Sequence, residues 1–575
     1  MAVRLHYYPM IQISGRNGDR RRPAPVFAAA VAGLASLLLW NAAPAGAAIG
    51  DERLGAYLAA RLAGNEDDLA NAAKYYQLAL ATDPDNLDLL STSAIMLLAA
   101  GQVDKAVTLS EQLAAKQPDS AFANMLIAAG RAKKGDYAGA TTFAQKIQPS
   151  GLNRLMEPLM ESWALLGQMK IPEAQAALDK LKGNPSYEAF YNYHSALINA
   201  FAGKTDVATA AFQTLLRAGA SSRGIEAYGN LMERTGKVDD ATKLYRSYLD
   251  AQPEDGVISA ALARVLKGTK PEPLIPDAAA GMAEAFNSVA ASLTQENSLN
   301  QGISYAQIAL YLRDNFDSAR MVLATAMERS EDWAAANASL SKIPLASPYS
   351  FEARLRQGVN LGRLNDVDGA AVILKKLGDE RPVSTEALTS LADIYRTHDR
   401  NADAVKTYDL AIARVKNPTA GDWVLFYTRG TSLERTGNWD RAEADFLQAL
   451  KLQPDQVFVL NYLGYSWIER NKNIEQATAM IQNAVKQQPT AGFIIDSLGW
   501  GMFHLGKYDE AVTQLERAVA LDPADATIND HLGDAYWKVG RKREAMFQWR
   551  HALDSHPDDA LIPVLKKKMA QGLDG

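Results

Sequence analysis

An all-α solenoid, a superhelix of antiparallel helix pairs with a 34-residue repeat, is the fold class this sequence predicts. Three observations carry it. Small residues recur at fixed spacing: Ala72, Ala106, Ala140, Ala174 and Ala208 stand 34 residues apart, and Ala241 follows 33 later. A second register runs Gly302, Ala336, Ala370 and Ala404, again 34 apart, then Ala442, Ala477, Ala511 and Ala545. Proline stands twelve residues after many of these, as at Pro84, Pro118, Pro253, Pro382, Pro454, Pro489, Pro523 and Pro557. Glycines recur between the apolar-periodic segments, at Gly101, Gly135, Gly203, Gly236, Gly437, Gly506 and Gly540. A period of this length marks two-helix units that bury their apolar faces only by stacking on their neighbours.

Taken in order, the chain opens with an export signal over 1–47. "RNGDRRR" supplies positive charge, "VFAAAVAGLASLLLW" (26–40) an apolar core, and Ala45 and Ala47 an A-x-A cleavage site that leaves Ala48 first. The apolar core is short for a bilayer span, so a cleaved signal and a periplasmic or exported protein are expected, with membrane contact only in the alternative of an uncleaved signal kept as an anchor. A first array covers 48–267. "GTKPEPLIPD" (268–277) breaks the phase with three prolines and reads as a hinge or a longer loop. A second array covers 278–565, and 566–575 is a tail.

Within each unit the residue choices have physical reasons. The recurring alanine or glycine lets two helices approach closely. A bulky residue four positions on (Tyr76, Phe212, Tyr245, Tyr408, Phe446, Trp549) fills the gap beside it. Another small residue recurs upstream, at Gly229, Gly430, Gly464, Gly499 and Gly533. The loop glycines suit a left-handed helix stop, and the prolines end the second helix.

Composition narrows the function. The 575 residues contain no cysteine, which excludes disulfides, thiolate nucleophiles and a lipid-modified N-terminal cysteine. Net charge is −6; without residues 1–47, which hold five arginines and one acid, 55 basic residues face 65 acidic ones, giving −10. That balance argues against nucleic acid as the main partner. The basic runs Lys566-Lys567-Lys568 and Arg541-Lys542-Arg543 read as solvated faces. No phosphate-binding loop, H-E-x-x-H or G-x-S-x-G motif occurs, and "SLSK" (339–342) lacks its companion motifs. In "INDHLGDAYW" (528–537), Asp530, His531 and Asp534 share a helical face. A metal would need further ligands from adjacent units, so the expectation is a polar patch and no enzyme, no cofactor and no metal. Metal-dependent chemistry at these three residues is the enzymatic alternative.

"DSLGWGMFHLGKYDEAVTQLERAVALDPADA" (496–526) resembles the tetratricopeptide repeat consensus, and the periodicity extends that resemblance over nearly the whole mature chain. The resemblance implies a protein-binding scaffold whose first helices line a concave groove. By phase, the lining residues in the C-terminal units are Tyr427 and Thr431, Asn461 and Tyr465, Asp496 and Trp500, and Asp530 and Asp534; the next turn adds Ile468, Phe503 and Trp537. In the N-terminal units they are Met125, Leu159 and Trp163, and Tyr193 and Leu197. Chaperone-binding members grip a terminal carboxylate here with lysines and asparagines. This sequence agrees only at Asn461, and its acids and aromatics suit a segment carrying Lys or Arg.

"LNYLGYSWIERNKNIEQATAMIQNAV" and "NDHLGDAYWKVGRKREAMFQWRHAL" are similar to exported bacterial envelope repeat proteins. Some of these are adaptors that present cell-wall hydrolases to a C-terminal-processing protease. That resemblance implies protein or peptide partners, such as a periplasmic protease or cell-wall enzymes. A part in envelope assembly or export machinery is the alternative.

Overall fold

The computed structural model describes residues 45–66, 68–219 and 221–573, with side chains from Leu54 onward. The export signal therefore lies almost wholly outside the described residues. Among those described there are thirty α-helices, three short 3-10 turns and no strand. No helix among them is long and apolar enough to cross a membrane.

Successive helices pair antiparallel as the period predicts. Each of Ala72, Ala106, Ala140, Ala174, Ala208, Ala241, Ala336, Ala370, Ala404, Ala442, Ala477, Ala511 and Ala545 is fully buried. The reason is visible at Gly499 and Gly533. A methyl group on Gly499 would lie 2.6 Å from Leu515 Cγ and 3.3 Å from the Ala511 carbonyl; one on Gly533 would lie 2.5 Å from the Trp549 ring. The upstream small residue thus receives the bulky residue of the partner helix.

The helix-to-helix loops need one left-handed residue. Gly101, Gly135, Gly203, Gly236, Gly437, Gly506 and Gly540 all have φ between 74° and 83°. Elsewhere a side chain takes that conformation, at Met169 (φ 61°), Asn297 (φ 67°), Glu331 (φ 63°), Asn365 (φ 63°), Asp399 (φ 58°) and Asn471 (φ 53°).

The chain divides into two compact units after Ile373, not at the proline-rich 268–277. The physical reason is a fold-back. Helix Gly256–Leu266 is the last of the first array and has no antiparallel partner following it. The segment 268–277 then runs irregularly across the unit, held by Asn230 Nδ2 donating to the Glu272 carbonyl (2.9 Å) and Arg313 Nη1 donating to the Leu274 carbonyl (3.1 Å). It delivers Ala278–Gln295 against the first helices Ala121–Lys133, Asn153–Gly167 and Glu188–Phe201. Its partner Leu299–Leu312 packs on Leu87–Ala99 and Ala121–Lys133. The main hydrophobic core accordingly draws on residues from Ala73 to Ala353, with smaller separate clusters around Tyr76 and around Tyr245.

The second unit, from Leu374, stacks first helices Glu386–Thr397, Trp423–Arg435, Val457–Glu469, Gly492–His504 and Ala526–Lys538, each with its partner. The predicted tail is instead largely ordered: Leu561–Gln571 is a helix packed after Lys542–Asp554.

Candidate functional site

In the N-terminal unit the first-helix residues do converge on one face, but the chain itself covers it. Trp163 is 0% exposed, and a methyl group on Gly281 would sit 2.1 Å from its ring. Trp163 Nε1 donates to His194 Nδ1 (3.2 Å). Burial pushes the fully enclosed His194 down to about 4, so the ring is neutral; with Nδ1 accepting, Nε2–H donates to Ser288 Oγ at 3.2 Å. Tyr193 Oη donates to Glu284 Oε1 (2.9 Å), and Arg223 closes a fork on both Glu284 oxygens at 3.0 and 2.6 Å. Burial alone would raise the Glu284 carboxyl, but Arg223 and the Tyr193 hydroxyl outweigh it and the net shift is downward. Trp163 and Tyr193, expected to line a groove, are therefore core residues whose occupant is Ala278–Gln295. Leu159 and Met125 are buried with them.

In the C-terminal unit the same positions split into closed acids and open aromatics. Asp496 is 0% exposed and accepts from His531 Nδ1 at 2.9 and 3.1 Å. Burial works against a charged imidazole, but the Asp496 carboxylate prevails and His531 is pushed up to about 9, protonated at neutral pH. Trp500 stacks on that imidazolium with centroids 4.0 Å apart and planes at 11°, a cation–π arrangement. It also stacks with Phe503 (4.8 Å, 9°), and its Nε1 donates to Glu469 Oε1 at 2.7 Å. Tyr465 lies 6.5 Å from His531, centroid to centroid.

Asp530 and Asp534 point inward rather than to solvent. Lys568 Nζ donates to both Asp530 oxygens and to Asp534 Oδ2, all at 2.8 Å, and Trp549 Nε1 donates to Asp534 Oδ1 at 2.9 Å. Burial first, then the neighbouring Asp530 charge, raises the Asp534 carboxyl to about 6 against the pull of Lys568. The expected solvated lysine run is thus corrected at Lys568, whose side chain is only 16% exposed. Ile468, expected in the groove, is fully buried. Among the described residues no group of three or more His, Asp or Glu side chains is arranged to hold a metal ion.

Tyr427, Tyr465 and Trp500 remain half-buried on successive first helices. Tyr427 sits among Trp423 (5.9 Å), Tyr462 (5.8 Å) and Phe446 (6.1 Å). Asn461 is buried, and its Oδ1 has no hydrogen-bond donor within reach. The face can therefore offer flat aromatic contacts from Tyr427, Tyr465 and Trp500, whereas Asn461 and His531, expected at or beside it, are buried. Sequence reasoning missed Glu469, Lys568 and the Arg223–Glu284 pair. Lys568 had a signal, since Leu561, Leu565 and Lys568 share one helical face.

Models of the tetratricopeptide repeat match residues 65–129 and 423–456, and a TPR repeat model matches 502–540. No curated protein matches the chain in sequence. Similar solved structures include a tetratricopeptide repeat protein from Parabacteroides merdae, 16% identical over 44% of this chain and 99% of that one, TM-score 0.36. The APC/C hetero-tetramer Cut9–Hcn1 is 16% identical, over 91% of this chain and 96% of that one, TM-score 0.35. YrrB, described as a TPR protein with an unusual peptide-binding site, is 20% identical over 34% of this chain and 97% of that one, TM-score 0.28. Repeat matches in both units, laid on consecutive antiparallel helix pairs, make this chain a tetratricopeptide repeat protein, a scaffold for protein–protein interaction.

Proposed function

We propose that this chain is a non-enzymatic scaffold of the bacterial cell envelope that captures a partner segment on the first-helix face of its C-terminal unit. One observation carries the reading: Tyr427, Tyr465 and Trp500 stand half-buried there in successive repeats, whereas the corresponding Trp163 and Tyr193 are covered by the chain's own helix. The chemistry favours an extended segment lying across the aromatic rings. The expected preference for Lys or Arg is reduced along this stretch, because Asp496 is already neutralised by His531. The export signal supports the envelope assignment, and the sequence resemblance to envelope adaptors supports an exported protease or cell-wall enzyme as partner class.

A photocrosslinking residue at position 465 tests this. Discrete adducts, identified by mass spectrometry and lost in the Trp500→Ala background, are expected. The same probe at Leu447, exposed on the second helix Trp439–Leu452, should give none. Equal labelling at both positions would sink the proposal.

A further inference from the structure

The C-terminal helix Leu561–Gln571 occupies the last first-helix position of the same face. Lys568 is seated between Asp530 and Asp534, and a methyl group on Gly572 would sit 2.1 Å from the Trp537 ring. Leu565 is enclosed in the terminal core, with Leu561, Met569 and Leu573 packed at its edge. The result has the form of a bound ligand: an amphipathic helix presenting one ammonium to a pair of buried carboxylates.

Its attachment is light. Of the eleven residues in this helix only Leu565 is buried. In Ala278–Gln295, the helix that fills the inner face of the N-terminal unit, fourteen of eighteen are buried. The link from the preceding helix, residues 555–560, passes through His556 in a left-handed conformation, φ 55°, that a side chain adopts at a cost. What it covers cannot simply be left bare. Two buried carboxylates without a counter-cation are strongly disfavoured, so the helix leaves readily only when another cation takes its place.

We propose that Leu561–Gln571 is a resident, exchangeable ligand, and that a partner helix bearing a lysine in the same pattern displaces it from the Asp530–Asp534 seat. The pattern is Leu-x3-Leu-x2-Lys-Met, as in Leu561, Leu565, Lys568 and Met569. The inference rests on the first-helix face being the partner surface, and it adds that the last position is held closed until a lysine-bearing helix arrives. A lysine whose ammonium is buried on carboxylates gives the selectivity: removing one partner of such a pair leaves the other charge unpaired.

The test uses the full chain, wild type and Lys568→Glu, with a fluorescent synthetic peptide of residues 560–573 as probe. Like charge at position 568 should release the helix, read as faster amide exchange over 561–571. The peptide should then bind the variant at least about tenfold more tightly than the wild type, by anisotropy. A peptide carrying Lys568→Ala should lose about tenfold or more on that variant. Equal binding to both chains, no binding to the variant, lysine-independent binding or unchanged exchange would each overturn the proposal. If the peptide fails while Trp500-dependent crosslinking at position 465 persists, the exchange is refuted and the partner face stands.

Discussion

The two units treat the same surface differently. In the N-terminal unit the first helices close on Ala278–Gln295, a helix with one charged residue, Glu284, clamped by Arg223 and Tyr193. In the C-terminal unit they meet only a short terminal helix at one end, and three aromatics stay half-open. Both faces use a buried ion pair, with opposite polarity: a carboxylate enters the first, an ammonium the second. The difference teaches that a repeat register specifies where a binding face lies, while the identity of its occupant depends on residues far along the chain.

The comparison can be broken most directly at the ion pairs. Glu284→Ala strips Arg223 of its forked partner and Tyr193 of its acceptor, leaving Arg223 only Glu226 at 2.7 Å, and should destabilise the N-terminal unit by roughly 3 kcal/mol, read as a shift in denaturant midpoint. Lys568→Ala takes the cation from Asp530 and Asp534, but the lightly held terminal helix can lift and let water reach them, so it should cost clearly less. Equal losses would erase the distinction between a permanent and an exchangeable occupant.

Overpacking sharpens the comparison from the other side. Ala511→Leu forces a side chain into the contact where Gly499 meets Leu515 and should cost about 1–3 kcal/mol. Trp500→Ala should instead act mainly on partner capture. If thermal unfolding drops as far in the second variant as in the first, Trp500 belongs to the core.

The pH dependence isolates the Asp496–His531 pair. Below about pH 6.5 the imidazole is protonated in both folded and unfolded chains, and the pair contributes in full. Between 6.5 and about 9 only the folded state holds the proton, so stability falls as pH rises through this window. The loss should be on the order of 1–3 kcal/mol, and His531→Gln should flatten the slope. An unchanged slope in that variant would assign it to another group.

The smallest effect lies in the loops. Met169 is largely exposed in a left-handed conformation that its homologous positions fill with glycine. Met169→Gly should therefore raise stability by roughly 1 kcal/mol, visible as a higher Tm. A decrease would mean that the methionine side chain makes a contact worth more than the strain.

Much of the fold was legible in the sequence, because each rule acted locally. The spacing of alanines, the glycine loops and the proline stops all follow from one helix touching the next. The fold-back of Ala278–Gln295 was not read from its period, yet its composition carried a clue. Eighteen helical residues with a single charge present only a narrow stripe of small polar side chains, Ser288, Ser292 and Gln295, to water. The candidate site was legible only as a register. Trp163, Tyr193, Asp496, Asp530 and Asp534 lie on the predicted face, but whether each is open depends on helices more than thirty residues away, and no local pattern encodes that distance.

The fold-back also sets an order of assembly. A simple solenoid gains stability repeat by repeat, each addition completing the last. Here the ring of Trp163 awaits Gly281, and the Arg223 guanidinium awaits Glu284. The thirteen described α-helices before residue 278 therefore emerge during synthesis with an unfinished interior, sealed only once the proline-rich link has brought residues 278–312 across it. Closing so long a loop is slow relative to local pairing. This unit matures in one late step, with apolar surface on view until then, and that interval is when it most needs protection from aggregation.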